Sequence, residues 1–348
     1  MNYIGSKHSI INFLEESIID FTNNDGKIFC DIFAGTGVVG KRFKQLGYSV
    51  LANDIQFYSY VLNKHYLENN KDILFAKLKL KGIQDIFVYL NKLDYYQGFI
   101  YNNYTKLGTL NKKYQRNYFT EKNAIKIDSM RDQIEKWYKK DYIKKNEYYY
   151  LLSCLIEAAD KVANTASVYE AFLKGMKKSA EKVIEIKPID IIINKATDSK
   201  VFIEDSNELI RVIKGDILYL DPPYNSRRYS SNYHILETIA YGDAPIIKGK
   251  TGLRYDQTNS KYNKKNEVAA AFEDLIKNAQ FKYIFLSYND EGIMSFKEIE
   301  EIMSKYGEYK RYETNHKRYK ANKNKEVAKK TTIEFLHALK KRDVNENI

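Results

Sequence analysis

The chain has 348 residues, with 57 Lys and Arg against 45 Asp and Glu, giving a formal net charge of +12 and a pI near 9.2. Hydrophobic residues make up 44%, enough for a full core, so global disorder is excluded. No apolar run nears the ~20 residues of a membrane span and the N-terminus has no signal-peptide pattern, so the expectation is a cytoplasmic protein without membrane contact. Two cysteines, Cys30 and Cys154, supply neither a disulfide framework nor a cysteine-based zinc site, and no metal is expected. The basic balance favours a polyanionic partner, nucleic acid first, although the dominance of Lys over Arg is equally a mark of biased genome composition.

In chain order, residues 9–21 space apolar residues as a helix does. Residues 27–33 read as a buried strand, which runs into Ala34-Gly35-Thr36-Gly37-Val38-Val39-Gly40, a short helix ending near Gly47, and a second strand from Tyr48 to Ala52 closed by Asn53-Asp54. Residues 56–68 look helical. From about 85 to 180 tyrosine and lysine rise and proline is absent, and helical stretches at 124–140 and 146–161 mark an inserted, mainly helical domain. Residues 91–180 carry seven more basic than acidic residues, interleaved with Phe99, Tyr101, Tyr104, Tyr114, Tyr118 and Phe119. Such tyrosines stack on bases or lie half-buried beneath a solvated face. Strands follow at 201–205 and 216–220, then a helix at 232–241, a loop at 242–265, a helix at 266–279, a strand at 283–287 and a terminal hairpin of 307–314 with 331–338.

Two segments carry the chemistry. Gly35-Thr36-Gly37-Val38-Val39-Gly40 satisfies G-x-G-x-x-G between strand and helix, and Asp54 ends the next strand, where an acid grips ribose hydroxyls. The pattern serves both dinucleotides and S-adenosylmethionine. A pyrophosphate needs the helix N-terminus as its anion site; Asp31 sits awkwardly there but suits the cationic amino group of a methionyl moiety. The second segment is Asp221-Pro222-Pro223-Tyr224, closing a buried strand. Proline fixes φ and lacks an N–H, so the turn is rigid and offers a carboxylate, an outward carbonyl and an aromatic face together. That set can hold a planar amino group by two N–H···O bonds and stack the ring that bears it, as in adenine, cytosine or the glutamine side-chain amide.

Tyr3-Ile4-Gly5-Ser6-Lys7, Asp31-Ile32-Phe33-Ala34-Gly35-Thr36-Gly37, Asp54 and Asp221-Pro222-Pro223-Tyr224 resemble, in identity and order, the α group of DNA adenine-N6 methyltransferases, which includes Dam-type and type II modification enzymes. The resemblance covers most of the chain. It implies an α/β, Rossmann-like S-adenosylmethionine-dependent methyltransferase fold over 1–84 and 181–348, with an inserted helical target-recognition domain at 85–180, and a sheet that is mostly parallel with a reversed terminal strand. It implies that Tyr3, Ile4, Lys7, Asp31, Phe33, Ala34, Gly35, Thr36, Gly37 and Asp54 serve the cofactor. Asp205 matches the acid that binds the cofactor adenine, though Ser206 stands where an apolar residue often follows. Asp221, Pro222, Pro223 and Tyr224 would bind a flipped adenine, since its amine is inaccessible to in-line attack inside a duplex. Double-stranded DNA is the implied partner, with a cognate restriction endonuclease acting separately.

For DNA itself, the loop residues Arg227, Arg228, Tyr229 and Asn232 suit phosphates, and Asn164, Thr165 and Ser167 can read base edges or cap a helix. His234 reads as structural. The loop at 249–254 lacks Walker spacing and is expected to face DNA or act as a lid. The competing readings are N4-cytosine, RNA or protein-glutamine methylation, against which Asp221 counts, and an NAD-dependent oxidoreductase, which leaves Asp-Pro-Pro-Tyr unexplained.

Overall fold

Apolar residues at every third or fourth place give a helix, α1, at Ile11–Thr22, whose buried face carries Leu14, Ile18 and Thr22. The computed structural model describes residues 5–194, 198–223, 229–256, 260–290, 292–317 and 331–342, with the backbone alone for 229, 316, 317, 331 and 332. The chain divides into two compact units. One comprises Gly5–Ile55, Ile192–Arg228 and Asn259–Ile348, the other Met1–Ile4, Gln56–Ile191 and Tyr229–Thr258. The unit that holds the 85–180 segment thus also takes in 56–84, 181–191 and 229–258.

The first unit is built on seven strands: β1 Ile28–Asp31, β2 Ser49–Asn53, β3 Lys200–Phe202, β4 Lys214–Leu220, β5 Gln280–Asn289, β6 Gly307–Lys317 and β7 Thr331–Lys341. They lie in the order β3-β2-β1-β4-β5-β7-β6. The first five are parallel, and β7 runs antiparallel to both its neighbours. This is the α/β, mostly parallel sheet with reversed terminal strand that the sequence implied. The order of connection reverses at β1, and the carboxyl ends of β1 and β4 therefore border the crevice where such sheets bind ligands.

Both faces of the sheet are covered, as a parallel sheet requires. On one side Leu218, Leu220, Ile284 and Leu286 pack with Phe272, Leu275 and Ile276 of α3 (Val268–Asn278) and Ile299 and Met303 of α4 (Phe296–Ser304). On the other, Phe29 of β1 stacks on Phe43 of α2 (Val38–Gln45) with ring centroids 3.8 Å apart. Both rings are fully buried, so truncating either to alanine costs about 3–5 kcal/mol.

Several elements differ from the sequence reading. The strand expected at 201–205 stops at Phe202, because Asp205 instead caps a short helix, Ser206–Leu209. The helix expected at 232–241 is two, Tyr229–Asn232 and His234–Tyr241. Helix α4 was not anticipated, although Ser295 and Glu298 form a capping box at its start. Within 242–265 a small hairpin pairs Ile247–Lys248 with Leu253–Arg254.

The second unit is mainly helical, with Glu121–Lys139 and Lys145–Val162 its longest elements. Tyr104 and Tyr118, which the sequence offered for base stacking, are fully buried core, as is Phe119. The Tyr104 hydroxyl donates to the Gly252 carbonyl at 2.8 Å, and Tyr118 donates to that of Tyr169 at 2.7 Å. Arg131 closes the helix His234–Tyr241 by donating to the carbonyls of Ile239, Ala240 and Tyr241, the cationic capping that a helix C-terminus favours. His234 is buried between the carbonyls of Ser231 (2.9 Å) and Thr251 (3.1 Å), in keeping with a structural place.

Candidate active site

The turn after β1 reverses the chain between Asp31 and Val38. Ala34 N–H donates to the Asn53 carbonyl at 2.9 Å and Gly37 N–H to that of Ala34 at 2.8 Å. Gly37, at φ 75°, is the N-cap of α2 in a left-handed conformation that a side chain would strain. Buried Asn53, at the end of β2, donates to the carbonyls of Ile32 and Glu204 at 3.1 Å each and accepts from Glu204 N–H at 2.9 Å. One amide thereby ties together the ends of β1, β2 and the segment after β3. Asp54 follows it, and Asp54 Oδ2 accepts the Gly35 N–H at 2.8 Å.

Asp31, the last residue of β1, is 2% exposed, and its Oδ1 is buried with no hydrogen-bond partner among the described residues. Burial first, then the neighbouring carboxylates of Asp221 and Asp54, push its pKa well above the carboxylate range; backbone N–H groups of Gly40 and Phe33 only partly oppose them. A buried acid with an unmet acceptor in a glycine-lined turn fits a cationic amino group.

Asp221 stands just past β4, in the strand next to β1, where Asp31 is level with Tyr219. Lys7, 5% exposed, brings Nζ to 3.1 Å from Asp221 Oδ1 and 2.6 Å from Glu334 Oε1 on β7. Burial pushes the Asp221 pKa up, Lys7 pulls it down and Glu334 pushes it up again, leaving it at about 6. Lys7 thus faces the Asp-Pro-Pro turn, engaged by two carboxylates. Pro222 is buried and Pro223 half-buried beside it.

The structure therefore brings Lys7, Asp31, Asp54 and Asp221 into one electrostatically coupled group. Phe33 sets its ring edge-on to Tyr262, centroids 5.0 Å apart, and the Tyr262 hydroxyl donates to Asn207 Oδ1 at 3.0 Å. Asp205 Oδ1 accepts from Asn207 N–H at 2.8 Å as the cap of the next helix, and Ser206 is buried. Ala34, Thr36 and Ser206 belong to the same unit. Tyr3, Ile4, Tyr224, Arg227 and Arg228 lie outside the described residues, as does the side chain of Tyr229.

Asn164, Thr165, Ser167 and Asn232 belong to the helical unit. Asn164 is fully buried; its amide donates to the carbonyls of Asn117 (2.8 Å) and Leu173 (3.0 Å) and accepts from Lys177 N–H. That amide staples a loop and has no free edge for a base. Thr165 and Asn232 are also buried, while Ser167 is half-exposed. Sequence reasoning missed Glu334, Ser287 and Tyr262. For Glu334 the signal was a lone acid inside the apolar run Ile333-Glu334-Phe335-Leu336. Among the described residues no cluster of His, Cys, Asp or Glu is placed to hold a metal, and no helix is long and apolar enough to cross a membrane.

The model of the D12 class of N6 adenine-specific DNA methyltransferases matches residues 3–305, most of the chain. The chain belongs to this family. It is 46% identical over 345 residues to the type II methyltransferase M.NlaIII of Neisseria lactamica, covering 98% of this chain and 99% of that one. It is 40% identical over 336 residues to M.FokI of Planomicrobium okeanokoites, covering 94% of this chain but 51% of that larger protein. The match to M.CviAII of Paramecium bursaria Chlorella virus 1 is 35% over 322 residues, covering 92% and 93%. The methyltransferase is S-adenosylmethionine-dependent and methylates adenine N6 in a specific DNA sequence. The oxidoreductase reading of the glycine turn is set aside by this membership, as are the cytosine, RNA and glutamine alternatives.

Proposed function

We propose that Asp221, with the carbonyl of Pro222, accepts the two N6 hydrogens of a flipped adenine, that Pro223 keeps the turn rigid and that Tyr224 stacks on the base. The observation that carries this is the buried Lys7–Asp221 contact at the end of β4, beside the Asp31–Asp54 end of the glycine turn. Asp31 would take the amino group of S-adenosylmethionine, Asp54 its ribose, and Asp205 with the Phe33 and Tyr262 rings its adenine. S-adenosylmethionine, when bound, supplies a methyl group on a sulfonium as the electrophile. The amine lone pair of adenine is delocalised into the ring, and two acceptors on its hydrogens favour pyramidal nitrogen and direct the lone pair outward. Ionised Asp221 is the stronger acceptor and can also take the proton that N6 releases; protonated Asp221 accepts only weakly and cannot take that proton.

The helical segment 85–180 would recognise the target sequence, with Ser167 the accessible member of its polar cluster, and Arg227, Arg228 and Tyr229 would grip phosphates. The names of M.NlaIII and M.FokI as type II methyltransferases support a role in protecting DNA beside a separate restriction endonuclease, in the cytoplasm. The test is transfer of labelled methyl from S-adenosylmethionine to methylation-free DNA, with nucleoside analysis of the digest. N6-methyladenine as product, lost in Asp221→Ala, supports the assignment; undiminished product in Asp221→Ala removes Asp221 from the chemistry.

A further inference from the structure

Two carboxylates share the Lys7 ammonium, and the nearer one is outside the family motifs. Nζ lies 2.6 Å from Glu334 and 3.1 Å from Asp221, and the Lys7 and Glu334 side chains are each 6% exposed. Glu334 is itself held: Ser287 Oγ on β5 donates to the same Oε1 at 3.0 Å, and Glu334 is in register with Asn289 of β5 and Thr314 of β6. A carboxylate fixed by two strands and a hydroxyl does not follow the lysine; the lysine follows it.

We infer that Glu334 is a positioning residue for methyl transfer, gripping Lys7 so that the ammonium orients Asp221 without pairing with it fully. An ammonium this little exposed to water, given only one anion, would close on it. Asp221 would then be a neutralised carboxylate, a weaker acceptor for the N6 hydrogens and a weaker base for the proton that N6 must lose. With Glu334 present, one cation serves two anions and Asp221 keeps its acceptor strength. Among the described residues, the other titratable groups facing Asp221 are the Asp31 carboxyl and the Tyr219 phenol, neither of them a cation. The pKa contributions on Asp221 run the same way: Lys7 lowers it and Glu334 raises it. This inference rests on Asp221 being the N6 acceptor.

The test is the single-turnover methylation rate of a cognate duplex from pH 5 to 9, with S-adenosylmethionine affinity measured by calorimetry. Glu334→Gln should leave cofactor affinity within about twofold, slow transfer about tenfold and move the acid limb of the profile to lower pH. Glu334→Asp should restore part of both. Should Glu334→Gln not fold, Ser287→Ala decides, since it loosens only the anchor of Glu334; it should move the limb in the same direction by less. A merely structural role lowers the rate without moving the limb, so an unmoved limb, or a shift to higher pH, overturns the inference. An active wild type with an unmoved limb fails this inference alone; a wild type that places no methyl on adenine N6 fails the role given to Asp221, and this inference with it.

Discussion

Asp54 Oδ2 accepts the Gly35 backbone N–H at 2.8 Å, so the acid that closes β2 also holds the glycine turn that follows β1. Under the proposed function the same carboxylate also binds the ribose diol of the cofactor. Asp54→Ala should therefore raise the S-adenosylmethionine dissociation constant about 10- to 100-fold, the worth of charge-assisted hydrogen bonds. Calorimetric titration checks it; an unchanged constant would mean that the turn organises itself without Asp54.

Asp31 gives a proton-linkage prediction. Its folded-state pKa is raised, chiefly by burial, so in the free protein it tends to hold a proton that a model carboxylate would have lost. A cationic amino group arriving at Oδ1 favours the ionised form. Binding of S-adenosylmethionine or of S-adenosylhomocysteine, which share that amino group, should release protons, and affinity should rise with pH. Calorimetry in buffers of different ionisation enthalpy measures the release, and Asp31→Asn should abolish it together with much of the affinity.

As the proposed N6 acceptor, Asp221 should set the acid limb of catalysis. Its pKa stands at about 6; because the folded value is raised, the ionised form is what burial disfavours, and the protonated form prevails below it. The transfer rate should fall about tenfold per pH unit below pH 6. Since the same sign makes ionised Asp221 a cost to folding at neutral pH, Asp221→Asn should eliminate activity while thermal stability at pH 8 does not drop. A large loss of melting temperature in that variant would show that the Lys7 pair stabilises the fold instead.

Gly242 follows the helix His234–Tyr241 at φ 62°, and a Cβ there would meet Arg131 Cζ at 2.4 Å. That guanidinium cannot swing away without releasing the helix-end carbonyls and Glu135. Gly242→Ala should destabilise the protein by about 1–3 kcal/mol, seen as a lower urea midpoint at unchanged slope.

Arg227 and Arg228 are tested by salt. If both contact phosphates, changing both to alanine should reduce the slope of log affinity against log salt by about 2 and weaken all DNA sequences alike. A change confined to the cognate site would place them on bases.

The residues legible in the sequence were those whose chemistry is local. Gly35 and Gly37 in a turn, Asp54 at a strand end and Asp221-Pro222-Pro223 after a buried strand each need only a few neighbours to define them. From them followed the parallel sheet, the order of the motifs and the methyl donor. Polar residues of the helical segment were a different matter, because burial is not a local property: nothing between positions 160 and 170 says that Asn164 lies fully buried on the backbone of Asn117 and Leu173 while Ser167 remains accessible. The same holds for Tyr104 and Tyr118, core residues in a stretch that reads equally well as a stacking surface. Position 334 carries no motif at all. Glu334 meets Lys7, 327 residues away, only because β7 inserts between β5 and β6 with a register that sets this acid opposite Asn289, and strand insertion is decided by pairing across the whole sheet. Sequence alone determined the family and the residues proposed to carry the chemistry. The tertiary structure decided which charges surround them, because a buried charge takes its strength from neighbours that the chain brings together only when folded.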